Sequence, residues 1–251
     1  MFVDSENLLR ESRPATPPEV ALPATPGWYA TTKIVVDSAL ALVLLILTAP
    51  LLLFAIILVK LTSPGPAIYT QTRVGRGGKP FTIYKLRTMA NNCESLTGAQ
   101  WSKPGDSRIT RVGRWLRKTH LDELPQLWNV LKGDMSLIGP RPERPEFVPQ
   151  LEQAIPLYRE RLQVRPGVTG FAQIQLPPDT DLESVRIKLA YDLHYVLNVG
   201  LWFDVMIYLG TMGKLLGLSF AGIRALCRFP ESGQVDDAYR RLTTTSIEPK
   251  T

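Results

Sequence analysis

Residues 120–141 read HLDELPQLWNVLKGDMSLIGPR, and their punctuation predicts a short helix behind two adjacent carboxylates. Asp122 suits the N-cap, Pro125 the first turn, Lys132 the last turn and Gly133 the C′ position. Leu121, Leu124, Leu127, Trp128 and Leu131 then share one apolar face. Unpaired N–H groups and the helix dipole would hold an acid at that terminus as its anion, which makes Asp122 a candidate carboxylate nucleophile. A lone Asp at a helix start is ordinarily a cap. The neighbouring Glu123 adds to the reading, because paired carboxylates perturb each other's protonation: one stays ionised while the other handles protons or helps to hold a metal.

Working outward, the chain has 251 residues, enough for one sizeable domain with accessories. Its 29 Lys and Arg outnumber 23 Asp and Glu, and this balance points to phosphates, nucleic acid or an anionic membrane surface without choosing among them. The membrane enters at residues 34–59, where Asp37 is the only charge. As straight helix this run would be about 39 Å long, against a hydrocarbon core of about 30 Å. It starts too late and runs too long for a cleaved signal peptide. The basic residues that follow, Lys60, Arg73, Arg76 and Lys79, predict a cytoplasmic domain. Pro50, near the middle of the run, leaves a kinked spanning helix and a re-entrant hairpin both open. Cys93 and Cys227 lie far apart, outside any zinc spacing, and are read as free thiols. His120 and His194 are too few for a histidine metal cluster.

The Pro-rich leader, residues 1–32, and the polar end, 231–251, are expected to be disordered. Between them lie a membrane helix at 33–60 and a membrane-associated catalytic domain at 61–230. Within that domain Ala67–Val74 and Phe81–Met89 have strand composition around GRGGKP, which predicts a β-hairpin and lacks the phosphate-loop frame. Residues 108–118 space Arg108, Arg111, Arg114, Arg117 and Lys118 along one helical side with Trp115 and apolar neighbours, a pattern suited to an anionic leaflet. Residues 200–220 are apolar but interrupted by glycines, Asp204 and Lys214, and are read as an interfacial helix. The fold class is α+β, mainly helical, with a membrane helix, a small β-hairpin and interfacial amphipathic helices.

Cations recur in motif-like contexts: Arg73, Lys85 and Arg87 in YKLRTM, Arg141 in GPRPE, and Arg165 in RPGVTG. Arginine forks match phosphate oxygens, so these five residues are candidate substrate contacts.

The motifs at Lys33 and Asp37, Pro50, Gln71 (QTRVG), Tyr84 (YKLRTM), the Asp-Glu block and RPGVTGFAQ stand in the order found in the monotopic phosphoglycosyl transferases, and the chain resembles that bacterial sugar transferase family from Lys33 to about Leu216. The resemblance implies transfer of a phosphosugar from a nucleoside diphosphate sugar, typically a UDP-sugar, to polyprenyl (undecaprenyl) phosphate. That would be the first membrane step of exopolysaccharide, O-antigen or glycoconjugate synthesis. It implies Asp122 as the nucleophile that forms a phosphosugar-aspartyl intermediate, Glu123 as its partner in proton transfer or metal organisation, and Mg²⁺ held at Asp122 and Glu123. It further implies a re-entrant helix broken near Pro50 in the bacterial inner membrane, the catalytic domain on the cytoplasmic face beside anionic lipids, and no nucleic-acid partner.

Two departures from the family pattern stand out. Ala49 precedes Pro50 where some relatives have Ser, and IQLPPDTD follows FAQ where many have an Asn-Gly-Arg or Ser-Gly-Arg turn. The leader is too short for the four-helix membrane domain of larger relatives, so a minimal catalytic form is expected. A membrane-anchored Mg²⁺-dependent phosphohydrolase and a non-catalytic scaffold of glycan assembly are the alternatives.

Overall fold

The computed structural model describes residues 27–94, 98 and 105–247. Helix α1 (Gly27–Thr62) is unbroken through Pro50, and it is the one helix among the described residues long and apolar enough to cross a membrane. Only 11% of its most apolar window is buried, which separates it from a core helix. The expected start at Lys33 is too late: helical geometry begins at Gly27, and the rest of the leader lies outside the described residues. The expected break at Pro50 is absent as well. Pro50 removes one N–H from the ladder, and the flanking turns carry the helix past that single loss.

One stripe of α1 is covered. Tyr29, Lys33, Asp37, Ala41, Leu45, Leu52, Ala55 and Val59 recur at helical spacing and are buried or half-buried, whereas the apolar side chains between them are mostly exposed. The domain therefore lies along α1 for about 45 Å. Ala41 and Leu45 pack with Ile83, Leu127, Val130 and Met135, while Ala55 and Val59 pack with Ala67, Leu86 and Leu116. Alanine at 41 and 55, both fully buried, lets the domain approach α1 closely at those two positions.

The hairpin forms as expected, with β1 (Ile68–Val74) antiparallel to β2 (Pro80–Leu86) and Ile68 opposite Leu86. Gly77 and Gly78 close the turn at φ of 67° and 79°. Helix α2 (Arg111–Lys118) starts three residues later than expected, with the Thr110 side chain capping Gly113 N. Arg108 stays outside it, in a fork with Asp106. Arg111, Arg114, Trp115 and Lys118 are exposed, and Leu116 is buried against α1.

Asp122 is not the N-cap. It sits inside a three-residue 3-10 turn, Leu121–Glu123, and helix α3 (Gln126–Lys132) starts only after Pro125. His120, in the left-handed region at φ 55°, turns the chain out of α2 into this 3-10 turn. Gly133 ends α3 at φ 82°, as read. The apolar face differs too: Leu127 and Val130 are buried with Gln126 and Asn129, while Trp128 is exposed. Asn129 points inward because its amide bridges the hairpin, accepting from Tyr84 N at 3.1 Å and donating to Thr82 O at 2.7 Å.

A second sheet was not expected. β3 (Ser136–Ile138) runs parallel to β4 (Gly167–Thr169), and a Cβ on Gly139 would lie 2.3 Å from the Arg165 carbonyl oxygen, so only glycine fits beside the strand end. Around this pair pack α4 (Val148–Ala154), α5 (Phe171–Gln175), α6 (Leu182–Leu197), α7 (Leu201–Leu215), α8 (Phe220–Cys227) and α9 (Ser232–Ile247). They share a core built on Phe171, Ile174, Leu189, Tyr191, Leu193, Tyr195 and Ile207. At 15 residues α7 reaches about 22 Å, too short to span, and it leaves Leu201, Trp202, Leu209, Met212 and Leu215 exposed. The disordered end expected from 231 is a correction: α9 docks through buried Val235 and Tyr239, with Asp236 paired to Arg186 at 2.9 Å and Tyr239 donating to Pro156 O at 3.0 Å.

Candidate active site

The 3-10 turn presents Asp122 and Glu123 to β2 and to the loop that follows β3. Glu123 Oε1 accepts from Lys85 Nζ at 3.1 Å and from Arg141 at 2.6 Å. Burial pushes the Glu123 carboxyl up, but Arg141 and Lys85 outweigh it and hold the group well below the usual carboxylate range. Burial drives Lys85 down to about 8, with Arg141 adding to the shift and Glu123 opposing it.

Asp122 is the opposite case. Only 8% exposed, its carboxylate makes no hydrogen bond or ion pair among the described residues. Burial and then Glu123 push it up, against the fields of Lys85, Arg141 and Arg117. Glu123 is thus the member of the pair locked as an anion, and Asp122 is the one left without stabilising donors among the described residues. A desolvated carboxylate that is not spent on a structural contact is a reactive one.

The loop from Pro140 to Arg144 is held at every carbonyl. Pro140 O accepts from Gly167 N, Glu143 O from Val74 N and Arg144 O from Phe147 N, while Arg161 donates to Arg141 O at 2.7 Å and Arg73 to Pro142 O at 3.2 Å. A loop fixed in this way presents the Arg141 fork with little entropy left to lose on binding an anion. Arg161 is itself fixed, donating to Asp192 at 2.7 Å and to Tyr158 OH at 2.9 Å within a fully buried cluster.

Of the expected contacts, Lys85 and Arg141 converge on the carboxylate pair. Arg73 stands beside them, paired with Glu143 at 3.5 Å, and its charge is felt by Lys85. Arg87 does not join them: it is buried and donates to Ser63 O at 2.7 Å, where it holds the chain as it leaves α1. Arg165 is half-buried, and its side chain makes no hydrogen bond or ion pair among the described residues. Sequence reading missed Arg161 and Asp192 altogether and counted Arg117 only as part of a basic face. Arg117 in fact donates to Thr88 Oγ at 2.9 Å and faces Asp122 electrostatically.

Among the described residues no group of three or more His, Cys, Asp and Glu side chains converges as a metal cage. The carboxylate pair nonetheless fits Mg²⁺, which is usually held by one or two carboxylates and completed by substrate phosphates. Among the described residues the Asp122 carboxylate has no hydrogen-bond or ion-pair partner, and both of the cations on Glu123 use Oε1, leaving Oε2 open.

With two carboxylates facing an excess of fixed cations beside an apolar helix, the site is built for a polyanion at a membrane. A family model described as bacterial sugar transferase matches residues 28–217. The chain belongs to this family. Among the relatives of this chain is the UDP-N-acetylgalactosamine-undecaprenyl-phosphate N-acetylgalactosaminephosphotransferase of Aeromonas hydrophila, 47% identical over 188 residues, covering 75% of this chain and 44% of the relative. Two proteins named UDP-glucose:undecaprenyl-phosphate glucose-1-phosphate transferase also match. That of Caulobacter vibrioides is 48% identical over 73% of this chain and 69% of its own length, and that of Escherichia coli K12 is 43% identical over 71% and 39%. The chain therefore spans less than half of two of these relatives, and its helices α8 and α9 lie beyond the family match.

Proposed function

We propose that the protein transfers a phosphosugar from a UDP-sugar to undecaprenyl phosphate and releases UMP. The observation that carries this reading is the buried Asp122 carboxylate, without a partner among the described residues, beside a Glu123 locked by Lys85 and Arg141. The names of the relatives support the substrate classes.

In the first step an Asp122 oxygen attacks the sugar-linked phosphorus. A bond from Asp122 to phosphorus forms, the bond to the bridging oxygen breaks, and UMP leaves with that electron pair. In the second step an oxygen of the lipid phosphate attacks the same phosphorus and Asp122 departs as carboxylate. Arg141 and Lys85 neutralise the phosphoryl oxygens during both displacements, and Glu123 orients those two cations instead of moving protons. Mg²⁺, held by Asp122 and Glu123 Oε2 when bound, would supply further neutralisation of the diphosphate. The other three candidate contacts divide by position: Arg73, together with Arg117, adds to the field at the site, Arg165 is available to the sugar or nucleotide, and Arg87 supports the junction with α1.

The covered stripe of α1 supports a helix that lies along one face of the bilayer, with both of its ends on that side. A helix crossing along the membrane normal would carry the ion-paired domain, which lies on it for about 45 Å, through a hydrocarbon core of about 30 Å. The basic residues after α1 support the cytoplasmic side as that face. Arg111, Arg114, Trp115 and Lys118 on α2 then meet the anionic lipid headgroups.

The test is incubation with UDP-sugars and a short polyprenyl phosphate in Mg²⁺. A lipid-linked diphosphosugar formed in step with UMP supports the proposal. Free inorganic phosphate or free sugar phosphate without lipid product would favour a phosphohydrolase.

A further inference from the structure

A second polar cluster lies outside the site, at the seam between α1 and the domain. Helix α1 contributes Tyr29, Lys33 and Asp37 on one face, α7 contributes Asp204 and Tyr208, α6 contributes Tyr195 and β3 contributes Ser136. Asp37 and Asp204 are 5% and 3% exposed, so neither carboxylate can rely on water. Lys33 bridges them, 2.6 Å from Asp204 and 3.4 Å from Asp37. Asp204 also accepts from Tyr29 and, at 3.0 Å, from Tyr195. Asp37 accepts from Ser136 Oγ, from Tyr208 OH at 3.0 Å and from Leu137 N at 3.4 Å.

All of β3 is therefore tied to this cluster. Ser136 binds Asp37 through its hydroxyl, Leu137 through its N–H, and Ile138 O lies 2.8 Å from Ser136 Oγ and 3.2 Å from Tyr195 OH, sharing each hydroxyl's single proton with a carboxylate. Four residues after Leu137 comes Arg141. A cluster needed only to dock α1 could have used surface side chains of the domain, yet this one reaches the strand that leads into the phosphate-facing loop.

We infer that Asp37 is a positioning residue: by holding β3 on the membrane helix it sets the loop that carries Arg141, and thereby how well the site grips the donor diphosphate. Any shift of α1 along its seat is transmitted to Ser136 and Leu137, because a fully satisfied buried network has few alternative arrangements. The inference rests on the proposed donor reaction for its kinetic arm only.

The experiment uses the full chain in lipid nanodiscs and compares Ser136→Ala and Tyr208→Phe, each of which takes one donor from Asp37, with Ser219→Ala. Ser219→Ala removes the N-cap of α8, away from β3. In the absence of substrate, hydrogen exchange of amides in residues 136–144 is expected to quicken in the first two variants and not in the third. With UDP-sugar, the first two are expected to raise KM for UMP release about tenfold, the size of one charge-assisted hydrogen bond, with melting no lower than in Ser219→Ala. Unchanged exchange at 136–144 overturns the coupling. Faster exchange with an unaltered KM reduces Asp37 to a docking residue and also overturns the inference. If the wild-type chain released no UMP, the donor reading would fail, while the exchange arm would still decide the coupling.

Discussion

Replacing Arg161 by Met should separate fold stability from site geometry. Arg161 and Asp192 are each 3% exposed, with the guanidinium 2.7 Å from the carboxylate and 2.7 Å from the Arg141 carbonyl oxygen. Removing one partner of such a pair leaves a buried charge uncompensated, which costs about 3–5 kcal/mol. For a chain of this size about 1 kcal/mol moves Tm by roughly 2–4 °C, so a fall of roughly 6–20 °C is expected. Neutralising the survivor in Arg161→Met/Asp192→Asn should recover about 2 kcal/mol of that loss, a coupling readable as a double-mutant cycle. Activity should not recover, since the Arg141 carbonyl still lacks its donor, and kcat/KM for UMP release should stay about tenfold low. The pH dependence adds a check on sign. Burial already raises the Asp192 carboxyl, and loss of Arg161 raises it further. A carboxyl whose folded pKa exceeds its unfolded value binds a proton more readily when folded, so the Arg161→Met deficit should shrink as pH falls from 8 to 5. A double variant as unstable as the single one, or one with wild-type kcat/KM, would refute the reasoning.

Two further outcomes are expected. Because Lys85 is driven down to about 8, kcat/KM should fall as pH rises through about 8, and Lys85→Arg, charged throughout, should move that limb upward; a limb at the same pH in both proteins would remove Lys85 from the assignment. In a Cys93→Ser/Cys227→Ser background, cysteines at Gly27 and Thr62, which bracket α1, should both resist a membrane-impermeant thiol reagent in intact cells, and labelling at one end alone would establish a spanning helix.

What could be read from the sequence depended on how local the cause was. The hairpin was legible because strand composition flanks a glycine turn, and α1 because 26 residues carry one charge. The carboxylate pair, Lys85 and Arg141 were legible from chemistry concentrated in short motifs. Asp122 was misplaced as a cap because a local rule was applied where the chain inserts a 3-10 turn and starts the helix after Pro125. Arg161 escaped notice because its partners, Arg141 and Asp192, are 20 and 31 residues away, and the glycine-rich motif drew attention to Arg165 one turn later. Helix α9 was read as a tail because Val235 and Tyr239 are its few buried apolar anchors, and the surface that receives them, with the Arg186 partner of Asp236, exists only in the folded domain. Asp37 stood out in the sequence as the lone charge of residues 34–59; its partners on β3 and α7 come from about 100 and 171 residues away.

The central claim is that Asp122 becomes covalently loaded, and mass spectrometry of the protein incubated with UDP-sugar and Mg²⁺ alone tests it most directly. A sugar-phosphate mass increment confined to the peptide containing Asp122, with one equivalent of UMP released before lipid is added and both absent in Asp122→Asn, is the expected result. No adduct under conditions that preserve acyl phosphates, together with turnover by Asp122→Asn, would contradict the account and leave a single direct displacement in its place.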